Sequence, residues 1–381
     1  MNELVPRKDP YAPGSVYWYA PNKAAPIAFT VLFFLSGVVH FYQNFRYKSW
    51  KITPFLPWAA ILMTAGFAVR EAGAHDDSNV GLLIASIVLI MSGPPVYAAI
   101  NYIVFCRCLY YVPYMSPIHP VRVLVTFLGI DSLIEILIGN GASRMANTSA
   151  PPHFRQVGED LTKSALIIQA VFFIVFIVIG LRFQHACRKK NILNKNLNTV
   201  LYVMYASCLL ITARCIYRIV EFFQGYTGEI YDTEWYFWVF EATLMFINTV
   251  MLNIWHPGRY LPAGTRTFLG VDGVERVGPG WEDTRPVLLK IFDACDIVGL
   301  FMGHDNKNRY WEWEPAELEA YVARQKAEKE EKKRQRKEMF SRSRPKKDTQ
   351  PSGISEGTKD ANYEGADQSK QPGAHSAQEM V

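Results

Sequence analysis

The chain has 381 residues, 50% of them hydrophobic, a formal net charge of +5 and a mean hydropathy near zero. That average conceals two unlike parts: long apolar runs fill about residues 24–255, and Lys, Glu, Arg, Gln, Ser and Gly dominate beyond about residue 305. Apolar runs of about 20 residues match a hydrocarbon core of roughly 30 Å and exclude an ordinary soluble globular domain, whose apolar runs are shorter and broken by turns.

In chain order, the opening MNELVPRKDPYAPG is polar and lacks the charged head, short apolar core and small-residue cleavage site of a signal peptide, so it is expected to be retained. Seven apolar segments follow, at about residues 24–43, 53–70, 81–105, 121–142, 162–183, 200–222 and 235–255. The expected fold class is an all-α membrane protein, a seven-transmembrane helix bundle over residues 24–258. Short loops set its orientation through Lys and Arg. Arg46, Lys48 and Lys51 follow the first segment, Arg107 the third, and Arg182, Arg188, Lys189, Lys190 and Lys195 the fifth. The alternate loops are poor in base: Arg70 is offset by Glu71, Asp76 and Asp77, and Glu229, Asp232 and Glu234 follow the sixth segment. The N-terminus is therefore expected outside, with residues 1–23 extracellular, and the C-terminus in the cytosol; Arg7, Lys8 and Lys23 count against this and are outvoted. The sequon Asn147-Thr148-Ser149 falls in a loop that this orientation puts outside, which makes Asn147 a candidate glycosylation site.

The six cysteines form no disulfide pattern and are expected as free thiols. Cys106 and Cys108, at a membrane edge, are packing residues or acylation sites. Trp255-His256-Pro257-Gly258 ends the membrane domain. Residues 259–285 read as loop, 286–303 as an amphipathic helix, 315–340 as a solvated charged helix, and 341–381 as a disordered tail. Residues 259–340 are thus a cytosolic region with amphipathic and charged helices, and the basic cluster 331–347 is either solvated or held near anionic lipid.

Charged residues inside the apolar segments carry the functional reading, because a charge at the bilayer centre costs roughly 3 kcal/mol on insertion scales unless it is paired or wet. Arg214, Arg218 and Glu221 recur at i, i+4 and i+7, one face of a helix. Glu234, Glu241 and Asn248 recur every seven residues. At about 1.5 Å per residue, Arg214, Arg218, Glu221, Glu241, Asp131, Glu135 and Arg70 converge on the outer half of the bilayer. Acids on the fourth and seventh segments are expected to face arginines on the second and sixth around a hydrated pocket. Two readings stand for them: ion pairs that fix helix register, or groups that bind a cationic head group or carry protons. Pro94-Pro95 in mid-segment gives a static kink or a hinge. Gln169 reads as an interhelical hydrogen-bonding group. His40 and His256 have no partner at ligand spacing, so no metal is expected, and no cofactor either. A GxxxxGK[ST] phosphate loop, a Gly-x-Ser-x-Gly elbow and a metal-spaced His/Asp cluster are all missing, which argues against ATP hydrolysis and against an enzyme.

Arg214-x-x-x-Arg218-x-x-Glu221, Gly225, Glu234-Trp235, the acid at Glu241, Asn253 and His256-Pro257-Gly258 together resemble the signature of the fungal lipid-translocating exporter family, which includes aminocholesterol-resistance proteins and a sphingoid long-chain-base exporter. Gly66 with Arg70, Pro94 with Ala98, Ala99 and Tyr102, and Asp131 with Gly141 are similar to the family pattern, and the resemblance covers about residues 15–258. Two positions depart from it: Met63 stands where the family often has an acid, and Ile138 where it often has a glutamine, with Glu135 close enough to supply a polar group. The resemblance implies seven spans in a fungal membrane and movement of, or resistance to, amphipathic lipids and lipid-like toxins. The leading expectation is an ATP-independent exporter of sphingoid-base or sterol-analogue class molecules in the plasma membrane, or else in an internal membrane such as the endoplasmic reticulum or vacuole. Its partners are membrane lipids and an amphipathic small molecule, not nucleic acid, and no oligomeric state follows. The rival is a seven-span receptor or stress sensor; against it, Phe105-Cys106-Arg107 is not an acid-Arg-aromatic triplet.

Overall fold

A computed structural model describes residues 13–15, 17, 19–116, 119–146, 151–224, 228–280 and 309–342. Helices form in all seven apolar segments. They are α1 (Ala24–Arg46), α2 (Phe55–His75), α3 (Val80–Tyr111), α4 (Pro120–Ala146), α5 (Pro152–Lys189) and α6 (Lys195–Gln224). The short α7 (Glu229–Asp232) precedes a last helical run made of α8 (Glu234–Phe237), a π turn (Trp238–Thr243) and α9 (Leu244–Ile254). α10 (Pro257–Tyr260) follows, and α11 (Pro315–Arg342) is the charged helix expected near the C-terminus.

Local chemistry sets several helix ends. Asn22 Oδ1 accepts the Ala24 and Ala25 amides, and Asn79 Oδ1 accepts those of Gly81 and Leu82, satisfying donors that a helix start leaves unpaired. After α5, Asn191 adopts the left-handed conformation (φ 56°) that ends the helix.

Five helical stretches are long and apolar enough to cross a membrane: α1, α3, α5, α6 and residues 234–260. The other two expected spans form as helices of 21 and 27 residues and are not among those five. α2 carries Ala, Gly and Thr together with Arg70 and Glu71, and α4 carries Arg122, Asp131 and Glu135. On α2 the small residues and Arg70 are largely buried, so the same composition that fits that helix between its neighbours dilutes its hydropathy. Outward faces are strongly apolar. Ile27, Val31, Phe34, Leu35 and Val38 on α1, and Ile167, Val171, Ile174 and Val178 on α5, are all exposed. Such stripes on long helices suit a lipid solvent and not water. The chain is an all-α membrane protein.

Packing closes a ring. Each helix from α1 to α6 packs on the next, α6 packs on α9, α9 returns to α1, and α3 also reaches across to α6. Aromatic side chains fill two parts of the core. Phe29 stacks on Trp238 at 5.5 Å, and Phe33 on Phe67 at 5.5 Å, between α1, α2 and the last run. Tyr102, Phe127, Phe172 and Phe176 interlock α3, α4 and α5. Close approach between helices requires glycine where a Cβ at Gly66 would lie 2.6 Å from Ile90 Cγ1, and where one at Gly158 would lie 2.7 Å from the Gly141 carbonyl.

Residues 259–280, expected as loop, contain a two-stranded antiparallel hairpin, β1 (Thr267–Leu269) and β2 (Glu275–Val277). Strands of three residues are too short to show an alternating pattern. Gly273 supplies a positive φ of 77° in the turn. The Val274 amide, then Arg276, hold the Asp272 carboxyl below the usual carboxylate range. Phe268, Tyr310 and Leu318 form a small core of their own. The chain divides by contact into one compact unit up to Lys326 and a second from Ala327. The amphipathic helix expected at 286–303, the sequon at Asn147 and the tail expected to be disordered from 341 lie outside the described residues, apart from the last turn of α11.

Candidate functional site

α6 carries Arg214, Arg218 and Glu221 on one face, as their spacing requires. Facing them is Glu241, fully buried on the π turn. Arg214 Nε donates to Glu241 Oε1 at 2.6 Å and Arg218 Nε to Oε2 at 2.8 Å. Arg218 Nη1 also donates to Glu221 Oε2 at 2.6 Å, and the Tyr217 hydroxyl to Glu221 at 3.4 Å. Two guanidinium groups and two carboxylates thus form a network of zero formal net charge, and both Glu241 oxygens accept charge-assisted bonds. Such mutual satisfaction is what makes burial of four ionised groups tolerable. The π turn widens the helix at this point, and the Thr243 hydroxyl bonds the Trp238 carbonyl at 2.8 Å within it.

A second pair lies at the start of the same run. Arg70 Nη2 donates to Glu234 Oε1 and to the Tyr19 hydroxyl, both at 2.9 Å, while the Asn22 amide donates to Glu234 Oε2 at 2.8 Å. The Arg70 guanidinium also sits 4.2 Å from the Phe237 ring centroid and 5.2 Å from that of Trp238. Glu234 and Glu241, expected on one stripe with Asn248, therefore serve different helices: Glu234 pairs with α2 and Glu241 with α6. Asn248 is buried with both side-chain polar atoms unpartnered.

The acids of α4 differ. Neither Asp131 nor Glu135 forms an ion pair among the described residues, although the sequence expectation set them opposite arginines. Glu135 Oε1 instead accepts the neutral Gln169 amide at 2.8 Å, the interhelical bond expected of that glutamine, and Cys215 Sγ lies 3.8 Å from Gln169 Oε1. Asp131 is buried beside Tyr102 and Gln169, yet its Oδ1 makes no hydrogen bond. Pro94 and Pro95 sit inside an uninterrupted α3. Their missing amides leave the carbonyls of Ile90 and Met91 without the usual helical donors. Met91 Sδ lies 3.8 Å from Arg214 Nη2. Met63, at the position where an acid was expected from the resemblance, packs against Gly93, and Ile138 lies in an apolar cluster with Ala165 and Leu166.

His40 and His256, read as isolated in the sequence, are neighbours with ring centroids 6.1 Å apart, since α1 and α9 pack together. His256 Nδ1 accepts the Gly258 amide at 3.1 Å, and a Cβ on Gly258 would run into Ser49. The His-Pro-Gly sequence thus makes a tight turn at the end of α9. Among the described residues, no group of three or more His, Cys, Asp or Glu could hold a metal ion. The π turn and the choice of Arg70 as the Glu234 partner escape sequence reasoning, because WVFEAT contains no Pro or Gly and both acids share one spacing.

The residues that build these networks lie within or beside the stretch that decides the relationship: residues 56–264 match the family described as RTA1 like protein. The chain belongs to the RTA1-like family. A relative named lipid-translocating exporter-like protein RTA1, from Leptosphaeria maculans, is 36% identical over 81% of this chain and 64% of its own length. The chain therefore spans under two thirds of that RTA1-like relative. A second protein of that name, from Ajellomyces capsulatus, is 33% identical over 71% of this chain and 89% of its own. A sphingoid long-chain base transporter, RSB1 of Saccharomyces cerevisiae, is 44% identical over a shorter stretch, 14% of each chain. No solved structure matches this RTA1-like chain.

Proposed function

We propose that this protein moves amphipathic lipids or lipid-like toxins across a fungal membrane without ATP and without enzymatic chemistry, as a seven-span bundle with its N-terminus outside. Support for seven spans comes from the linkers. α1 and α3 each qualify as spans, and α2, about 31 Å long by its 21 residues, fills the return between short connections. α2 and α4 also turn apolar side chains outward, among them Trp58, Ile61, Leu133 and Ile136. Residues 24–258 are then the membrane domain and 259–340 a cytosolic region. The plasma membrane is the proposed location, on the names of the exporter-like relatives.

One observation carries the substrate class: Asp131 is a buried carboxylate with no arginine and an unpartnered Oδ1, one helical turn from Glu135. An amine head group, as in a sphingoid base, supplies the positive charge these two acids lack and a donor for Asp131 Oδ1. The arginines are already engaged with Glu241, Glu221 and Glu234, so they hold the bundle open as a polar stratum and do not compete for the amine. The direct test reconstitutes the protein in vesicles and follows a labelled sphingoid base between leaflets. Translocation above empty vesicles is expected, with loss in Asp131→Asn at unchanged folded yield. Rates equal to empty vesicles for the unaltered protein would remove the exporter reading.

A further inference from the structure

At the basic end of the bundle, the five-residue turn between α5 and α6 borders an open surface cavity of about 490 Å³, lined by Arg188, Asn191, Leu193, Lys195 and Asn198, of which Arg188, Asn191 and Lys195 are exposed. The lining is rich in donors. Neither Arg188 nor Lys195 pairs with a carboxylate among the described residues; Arg188 makes one long contact, 3.3 Å, to the Tyr202 hydroxyl. Asn198 Oδ1 already accepts the Gln184 amide at 2.8 Å, so its Nδ2 hydrogens are the ones left for a ligand. Lys195 opens α6 and Arg188 lies in the last turn of α5, so the turn brings the two cations to one place. Exposed apolar side chains lead away from the cavity along both helices: Val171, Val178 and Leu181 on α5, and Tyr202 and Leu209 on α6. α5 and α6 are both long and apolar enough to span. A donor-lined basic cavity at the end of an apolar stripe is therefore built for a molecule with a phosphate at one end and acyl chains at the other.

We propose that the α5–α6 turn seats the phosphate-bearing headgroup of an anionic phospholipid, with its acyl chains lying on the exposed stripe of α5 and α6. This site is separate from the acids of α4 and does not depend on what the protein transports. The test uses the full chain in detergent micelles with fluorescent phosphatidylserine, and with phosphatidylcholine for comparison. Preferential retention of phosphatidylserine is expected, and Arg188→Gln with Lys195→Gln weakens it about tenfold, to the phosphatidylcholine level, at an unchanged unfolding midpoint. Lys332→Gln with Lys333→Gln, on α11, leaves retention unchanged. Equal weakening by that control pair would mean diffuse charge attraction and would overturn the proposal. Displacement of the lipid by millimolar inorganic phosphate alone would instead mark a free-anion site. A double variant that still prefers phosphatidylserine would place the headgroup elsewhere.

Discussion

Glu241 accepts from two guanidinium groups at once, so the two ends of the network are not equivalent. Glu241→Gln keeps the shape but leaves Arg218 with Glu221 as its remaining ion-pair acid and Arg214 with none among the described residues. Breaking a buried pair by removing one partner typically costs about 3–5 kcal/mol. We expect Glu241→Gln to lower the unfolding midpoint in detergent and the folded yield sharply, whereas Asp131→Asn, which breaks no ion pair, leaves both near wild type. A midpoint for Glu241→Gln no lower than for Asp131→Asn would show that the network is not structural. The sequence disclosed the α6 half of this network, because Arg214, Arg218 and Glu221 obey a local helical spacing. It also placed Glu241 at a matching depth. It could not assign Arg70 to Glu234, since that choice depends on how α2 and α8 meet, nor could it reveal that Glu135 prefers the neutral Gln169 on α5.

At the scale of helices, a helix forms in each of the seven apolar runs, and five are long and apolar enough to cross a membrane, because a hydrocarbon-spanning length is written directly in composition. Their ends were less legible. α5 starts at Pro152, ten residues before the expected 162, because helices continue past the hydrocarbon wherever nothing stops them, and Pro151-Pro152 is what starts this one. The π turn has no compositional mark, and the hairpin strands are shorter than any alternation can reveal. What the sequence does disclose in hindsight is the role of small residues. Gly141 and Gly158 meet at the α4–α5 crossing, where a Cβ on Gly158 would also come 2.7 Å from Arg144 Cβ. This crossing positions Asp131 and Glu135 against Gln169. Gly158→Leu overpacks it, at a cost of about 1–3 kcal/mol. The expected result is a lowered unfolding midpoint and impaired sphingoid-base movement together. Gly129→Ala, on the same α4 but with open space at its Cβ, serves as the control and leaves both intact. Equal effects at Gly129 and Gly158 would refute close packing as the cause.

For the molecule as a whole, the chain beyond the last membrane helix is tied back to the basic end of the bundle. Arg107, near the end of α3, donates to the carbonyls of Pro262 and Ala263 at 3.1 and 2.6 Å. The Tyr111 hydroxyl donates to Glu275 of β2 at 2.6 Å and accepts the Asn194 amide at 2.9 Å, and the Tyr114 hydroxyl donates to the Gly270 carbonyl at 3.3 Å. One tyrosine therefore links α3, the α5–α6 turn and the hairpin. Arg107 is a loop cation that counts toward orientation, and it has a further task as a latch for a segment about 155 residues away. The hairpin itself has little to hold it in place: two three-residue strands cannot persist alone in water, so its order depends on these contacts and on the Phe268–Tyr310–Leu318 core. Arg107→Met with Tyr111→Phe removes the side-chain donors while sparing the apolar bulk of both residues. Trypsin should then cut at Arg266 and Arg276 several-fold faster than in the unaltered protein, because cleavage follows the population of the open segment. Cleavage within the exposed α11 should not change, which separates local release from general unfolding. An unaltered cleavage rate at Arg266 and Arg276 would mean that the small aromatic core alone holds the hairpin, and the latch assigned to α3 would have to be given up.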